Sequence, residues 1–360
     1  MKRSLVCCLL LVTACAAGAG GAAAALVPPP GYAAPVGDGD GKIHDCPRNA
    51  TPYVKTLNFP SKYAGSDEAR DDLNARSERE YVRRTAPITA LEKGVARQVD
   101  DYIDTGRREA LECALRLLAD WSAARGLEGP ATTHSGKSMR KWALGSVASA
   151  YLRLKFSASR PLREVDAGSV RQIEQWMARL AERVVDEWSD QPPKKVNNHE
   201  YWAAWAVTAA AVALNRRDLF DWGMQQYRYA ARQIDDEGYL PNELKRDTRA
   251  LFYHNYALAP LAMIAAFGKA NGIDLASEND RALERLARRV IEGVDDPDDF
   301  EDKTGEEQVV PDPDERSKFA WLEPYCWTFT CDPEMQEKLE ELRPLSSTRL
   351  GGKVSDLFSG

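Results

Sequence analysis

Histidine is scarce in this chain, four residues in 360, which argues against a histidine-rich metal centre. Basic residues are also too few for a general nucleic-acid binder. Lysine and arginine total 48 against 55 acidic residues, a formal charge of -7, whereas phosphate neutralisation needs a basic domain. Strand-like alternation is rare, so a sheet-based fold is not expected. No Gly-x-Ser-x-Gly elbow, no His-Glu-x-x-His pair and no Gly-x-Gly-x-x-Gly loop occurs, which removes the common hydrolase, zinc-protease and dinucleotide signatures. At 44% hydrophobic and 29% charged residues, disorder is excluded and a large core is within reach.

Lys2 and Arg3 precede an apolar run from Leu5 to Val12, and no charge follows until Asp38. This is the layout of an export signal, read as residues 1–24. Two processing readings compete: Ala22 to Ala24 offer a small-residue cleavage site releasing a soluble protein, while Val12-Thr13-Ala14-Cys15 resembles a lipobox that would anchor the chain through Cys15. Loss of the signal removes Cys7, Cys8 and Cys15 and leaves Cys46, Cys113, Cys326 and Cys331, an even set in an oxidising compartment. The expected pairs are Cys46 with Cys113 and Cys326 with Cys331; buried free thiols are the other reading.

Residues 25–60, rich in proline and glycine, read as an extended arm. Helical period then dominates residues 61–360, expected to form one domain. Ile88, Leu91, Val95, Val99 and Ile103 recur at spacings of three and four and stop at Thr105-Gly106. Further helices are expected through Leu111 to Leu118, about Ser138 to Lys155, Ile173 to Trp188, Glu200 to Leu214, Arg217 to Gln233, Thr248 to Lys269 and Leu283 to Val290. Long helices without sheet and without a fixed repeat favour a closed toroid of helical hairpins over a solenoid.

Charge is uneven. From Gly129 to Arg163 there are seven basic residues and no acidic one, whereas Glu292 to Arg316 carries a local charge of -10. The acidic run lacks the central Gly and terminal Glu of a calcium loop and reads as a solvated loop.

Three clusters could carry chemistry. Asn197-Asn198-His199 precedes the aromatic helix opened by Tyr201 and Trp202, where an N-cap, an amide and an imidazole meet at a helix end suited to an anion. The bland reading is a cap and a surface histidine. Arg246, Arg249, Tyr253 and Tyr256 would share one face of a continuous helix; packing tyrosines are the bland reading, and a cation that stabilises a phenolate is the chemical one. His134-Ser135-Gly136-Lys137-Ser138 lacks the glycine spacing and leading strand of a phosphate loop and reads as a helix start beside a polar cleft.

Together with Ser61-Lys62-Tyr63, His134 to Trp142, Pro241 to Arg246 and Tyr253-His254-Asn255-Tyr256, these segments resemble the periplasmic mannuronate-specific alginate lyases of polysaccharide lyase family five. The resemblance spans nearly the whole exported chain and includes the leader Leu26 to Tyr32. It implies an all-α, incomplete α/α toroid and a periplasmic lyase that cuts polymannuronate by β-elimination without a metal or other cofactor. The partners implied are an anionic polysaccharide, with alginate export machinery as a further partner class, for a chain expected to be monomeric. Asn198, His199 and Arg246 would neutralise the uronate carboxylate, and Tyr253 would protonate the O4 leaving group. Lys62, Tyr63, His134, Ser135, Arg140 and His254 would bind substrate. Tyr253 and His199 compete as the base that takes the C5 proton. Glu200 stands where the family pattern has Ser, and a carboxylate there is expected to raise the pKa of His199. A non-catalytic polysaccharide-binding protein of an export system and a glycoside hydrolase on the same toroid are the alternatives.

Overall fold

The computed structural model describes residues 24–65 and 68–358; most of the expected signal peptide, with Cys15, lies outside them. The helices are α1 (Ala75–Thr105), α2 (Arg108–Ala123), α3 (His134–Phe156), α4 (Ala167–Trp188), α5 (Asn198–Leu214), α6 (Arg217–Gln233), α7 (Pro241–Leu244), α8 (Ala250–Ala270), α9 (Glu278–Asp295), α10 (Asp298–Thr304), α11 (Leu322–Thr328), α12 (Pro333–Leu342) and α13 (Ser355–Phe358). Among the described residues the only sheet is a two-stranded hairpin, Ser346–Ser347 against Gly352–Lys353. The expected all-α toroid is what forms.

Two kinds of helix build it. In α3, α5 and α8 nearly every side chain is buried, as expected for helices that are apolar all round. In α2, α4, α6 and α9 one stripe is buried and the rest faces water. The first set, with α1, forms an inner ring: α3 packs on α1 and α5, and α5 on α8. The second set lies outside it, α2 on α1, α4 and α6 on α5, and α9 on α8. Gly223 makes the α5 to α6 contact close; a Cβ there would stand 2.1 Å from the Thr208 hydroxyl oxygen.

Alternation of inner and outer helices makes the inner helices run parallel. Tyr81, His134, Asn198 and Tyr253, from their N-terminal parts, therefore gather at one end of the ring. The arm straps the other end. Leu26 N–H donates to Asn215 just past α5, Gly37 N–H to the Ile103 carbonyl in α1, and Ala158 N–H, past α3, to the Ala34 carbonyl. Cys46 is bonded to Cys113 in α2. The arm then climbs to the first end, where the Leu57 N–H donates to the Pro130 carbonyl. Gly136 is required there, because a Cβ would lie 2.1 Å from the Leu57 carbonyl oxygen.

Both disulfides form as expected, the second joining Cys326 to Cys331. The acidic run differs from its reading as a loop. Phe300 is buried and anchors α10 within it, while Asp299 pairs with Arg289 and Asp295 with Lys338.

Candidate active site

The N-terminus of α5 is set by a capping box. Asn197 accepts the His199 N–H at 3.0 Å, and Glu200 returns by accepting the Asn197 N–H at 2.9 Å. This holds Asn198 and His199 in the first turn, at the positive end of the helix dipole, which favours an anion. Thr133 caps α3 in the same way by accepting the Gly136 N–H, which places His134 and Ser135 beside them. The segment just after the arm supplies Ser61, Lys62 and Tyr63 from the opposite side, and α8 supplies Phe252, Tyr253 and Tyr256. Together they line a cavity of about 290 Å³.

Four cationic residues line this cavity, Lys62, Arg70, Arg246 and Arg349, and among the described lining residues there is no carboxylate. A second cavity of about 650 Å³ opens beyond Tyr81 and Arg349 and adds Lys93 and Arg97. Arg349 arrives from the C-terminal hairpin; its guanidinium lies 4.0 Å from the Trp142 ring centre and bonds the Tyr256 hydroxyl.

At the centre, the Tyr253 and Tyr63 hydroxyls stand 2.9 Å apart. The Arg246 guanidinium lies 3.8 Å from the centre of the Tyr253 ring, clamped by donating to the Ala69 and Arg70 carbonyls at 2.6 Å each. Burial pushes the Tyr253 hydroxyl above its ordinary range, and Arg246 offsets part of that. Asn198, 1% exposed, donates its backbone N–H and side-chain amide to Glu243 at 2.6 and 3.0 Å. Burial raises Glu243 to about 7, with those hydrogen bonds opposing the shift.

Burial disfavours the charged form of both cavity imidazoles. Burial, with Lys141 next, holds His199 well below its ordinary value, and burial lowers His134 to about 4. The expected rise from Glu200 does not occur, because that carboxylate turns back into the capping box. The two rings meet edge to face at 4.4 Å, and Trp188 stacks on His199 at 5.7 Å.

A family model described as alginate lyase matches residues 58–300. Alginate lyases of Pseudomonas aeruginosa PAO1 and of Cobetia marina are 52% and 50% identical to this chain, each alignment covering 91% of it and 89% and 88% of those proteins. The chain belongs to the alginate lyase family. The toroid likewise matches alginate lyase A1-III from Sphingomonas species A1, with a TM-score of 0.71 at 24% identity over 91% of this chain and 89% of that one.

Within this family member, Lys62, Tyr63, His134, Ser135, Asn198, His199, Arg246 and Tyr253 come together as the sequence suggested. Two residues do not. Arg140 is 1% exposed and spent on Glu187 and the Leu127 and Gly129 carbonyls. His254 is fully buried, its Nε2 accepting the Leu240 N–H at 2.8 Å and its Nδ1 bonded to the Ala250 carbonyl at 2.7 Å. Both hold the framework behind the cavity, so the expected substrate contacts are corrected to structural ones. The expected continuous helix through Arg246 is also interrupted: Asp247 has φ 44° and α8 starts only at Ala250. Arg246 reaches Tyr253 by the clamp instead, while Arg249 turns to the Asp71 carbonyl. Glu243, Arg70 and Arg349 were not singled out as functional from sequence. Glu243 lies within the segment Pro241 to Arg246; the other two carry no local signal.

Proposed function

We propose that this lyase cuts the 1,4-linkages of polymannuronate by β-elimination, leaving a 4-deoxy unsaturated uronate at the new non-reducing end. The observation that carries this reading is the cavity wall: four cationic residues and, among the described lining residues, no carboxylate, with a buried tyrosine at the centre. Elimination removes a weakly acidic C5 proton beside a carboxylate that must accept more charge, so preorganised donors on that carboxylate lower the barrier. Arg246, Asn198 and His199 line this one cavity, and we assign them to that carboxylate. In mannuronate the C5 proton and the O4 bond lie on one face of the ring. A single group, Tyr253, can then accept the C5 proton and return it to O4 as the glycosidic bond breaks.

The same wall weighs against a glycoside hydrolase, which needs two carboxyl groups flanking the bond. A periplasmic location fits the leader at residues 1–24 and the two disulfides, which persist in oxidising compartments. Incubation with polymannuronate tests the reading. We expect a product absorbing in the ultraviolet from its C4 to C5 double bond. Reducing ends without that absorbance would mean hydrolysis, and binding without either would mean a non-catalytic protein of an export system.

A further inference from the structure

Lys141 lies one residue beyond Arg140 on α3, has no exposed surface and touches neither cavity. A lone ammonium in such a place is costly unless every N–H is used. Its Nζ is 2.6 Å from the His199 carbonyl oxygen, 3.1 Å from His199 Nδ1 and 3.6 Å from the centre of the Trp188 ring. A carbonyl oxygen and a π face can only receive an N–H, so an ammonium with three donors and no acceptor capacity matches this set when Nδ1 presents its lone pair. Burial draws the Lys141 pKa well below the ordinary lysine value, and the charges of Glu200 and Glu187 oppose only part of that shift.

We infer that Lys141 is a positioning residue that holds His199 as the tautomer protonated on Nε2. Which ring nitrogen carries the proton is set by the partner of the other one. With Nδ1 occupied as an acceptor, Nε2–H is the group His199 offers to the cavity it lines. In that form the ring donates a hydrogen bond to a uronate carboxylate but has no lone pair at Nε2 to receive the C5 proton. No proton then passes through His199; it moves from C5 to the Tyr253 oxygen and from there to O4. This consequence rests on the β-elimination reading, whereas the tautomer itself is a property of the free protein.

The test is the ring-nitrogen NMR spectrum of the protein carrying isotope-labelled histidine, recorded without substrate. Four histidines keep assignment tractable. We expect His199 of the wild-type protein to show a protonated Nε2 and an unprotonated Nδ1. Lys141→Met should give a mixed tautomer population and a kcat lowered between about ten- and a thousandfold, with KM changed far less. Lys141→Gln, which keeps a donor, should restore the wild-type tautomer, and Ser138→Ala, whose hydroxyl oxygen lies 3.3 Å from Nδ1, should leave it unchanged. A wild-type His199 protonated on Nδ1 overturns the inference, as does a Lys141→Met spectrum identical to wild type. If Lys141→Met does not fold, the wild-type spectrum and Lys141→Gln still decide. Loss of the ultraviolet-absorbing product with the tautomer intact would count against the lyase reading alone.

Discussion

The Tyr253 hydroxyl stands 2.9 Å from that of Tyr63, joining a residue of an inner helix to one 190 positions earlier that follows the arm. Tyr253 therefore has a neighbour able to hold its oxygen in place while it exchanges a proton. Tyr253→Phe should abolish formation of the unsaturated product, by at least about a thousandfold, with an unchanged circular dichroism spectrum. Tyr63→Phe removes the neighbour and not the reacting oxygen, so it should lower kcat by about tenfold. Equal loss in both would place Tyr63 in the proton transfer itself.

Arg246 opposes the upward shift that burial gives Tyr253. Removing the cation lets burial act alone and raises that hydroxyl further. Activity that needs the ionised oxygen should then climb at higher pH in Arg246→Met than in the wild type. Loss of a charged donor from the carboxylate should also lower kcat by about a hundredfold or more. A pH profile that moves the other way would separate Arg246 from the tyrosine.

Glu92 in α1 is 5% exposed, its Oε1 has no partner, and burial raises it to about 7. The folded protein keeps this proton up to about pH 7, whereas the unfolded chain releases it near its ordinary value of 4.5. Glu92 thus contributes less and less to stability as pH rises through that window. Glu92→Gln does not titrate, so its stability relative to wild type should improve by about 3 kcal/mol between pH 4.5 and 7. Urea unfolding at the two pH values measures this directly.

The Cys46 to Cys113 bond ties the arm to α2 across 67 positions, and Cys326 to Cys331 spans only 5. Chain-entropy arguments assign about 4 kcal/mol to the long loop and about 2 to the short one. Paired serine substitution should therefore lower the melting temperature more for the first bond than for the second.

Salt should raise KM for polymannuronate, because the attraction comes from the lining cations Lys62, Arg70, Arg246 and Arg349. Screening shortens their reach to about 8 Å at physiological ionic strength. The net charge of -7 acts over the whole surface and does not prevent this local attraction. A KM that ignores salt would refute the role of these cations.

Helical period located the long helices, whereas their division into inner and outer sets came from their packing. It understated α1, whose expected period starts at Ile88 although the helix begins at Ala75, because few of its first turns are buried. The clusters around His134, Asn198 and Tyr253 were legible because each sits at or near the start of one helix, the first two with a side-chain cap beside them. Arg140 and Lys141 show where such reading stops. Both belong to the same basic stretch, yet one binds carbonyls behind the cavity and the other supports His199. A step of one residue turns a helix by about 100°, and nothing local says which neighbour each direction meets.

By itself, then, the sequence determined the helical class and the anion-suited helix starts, and it favoured one set of disulfide pairs. These depend on local spacing, capping and residue chemistry. Only the tertiary structure decided that Arg70 and Arg349 complete the cavity, that Glu243 holds Asn198, and that Arg140 and His254 face away from it. Those outcomes depend on closing a ring of parallel inner helices and inserting a hairpin from the far end of the chain, which places side chains by contacts that sequence distance does not encode.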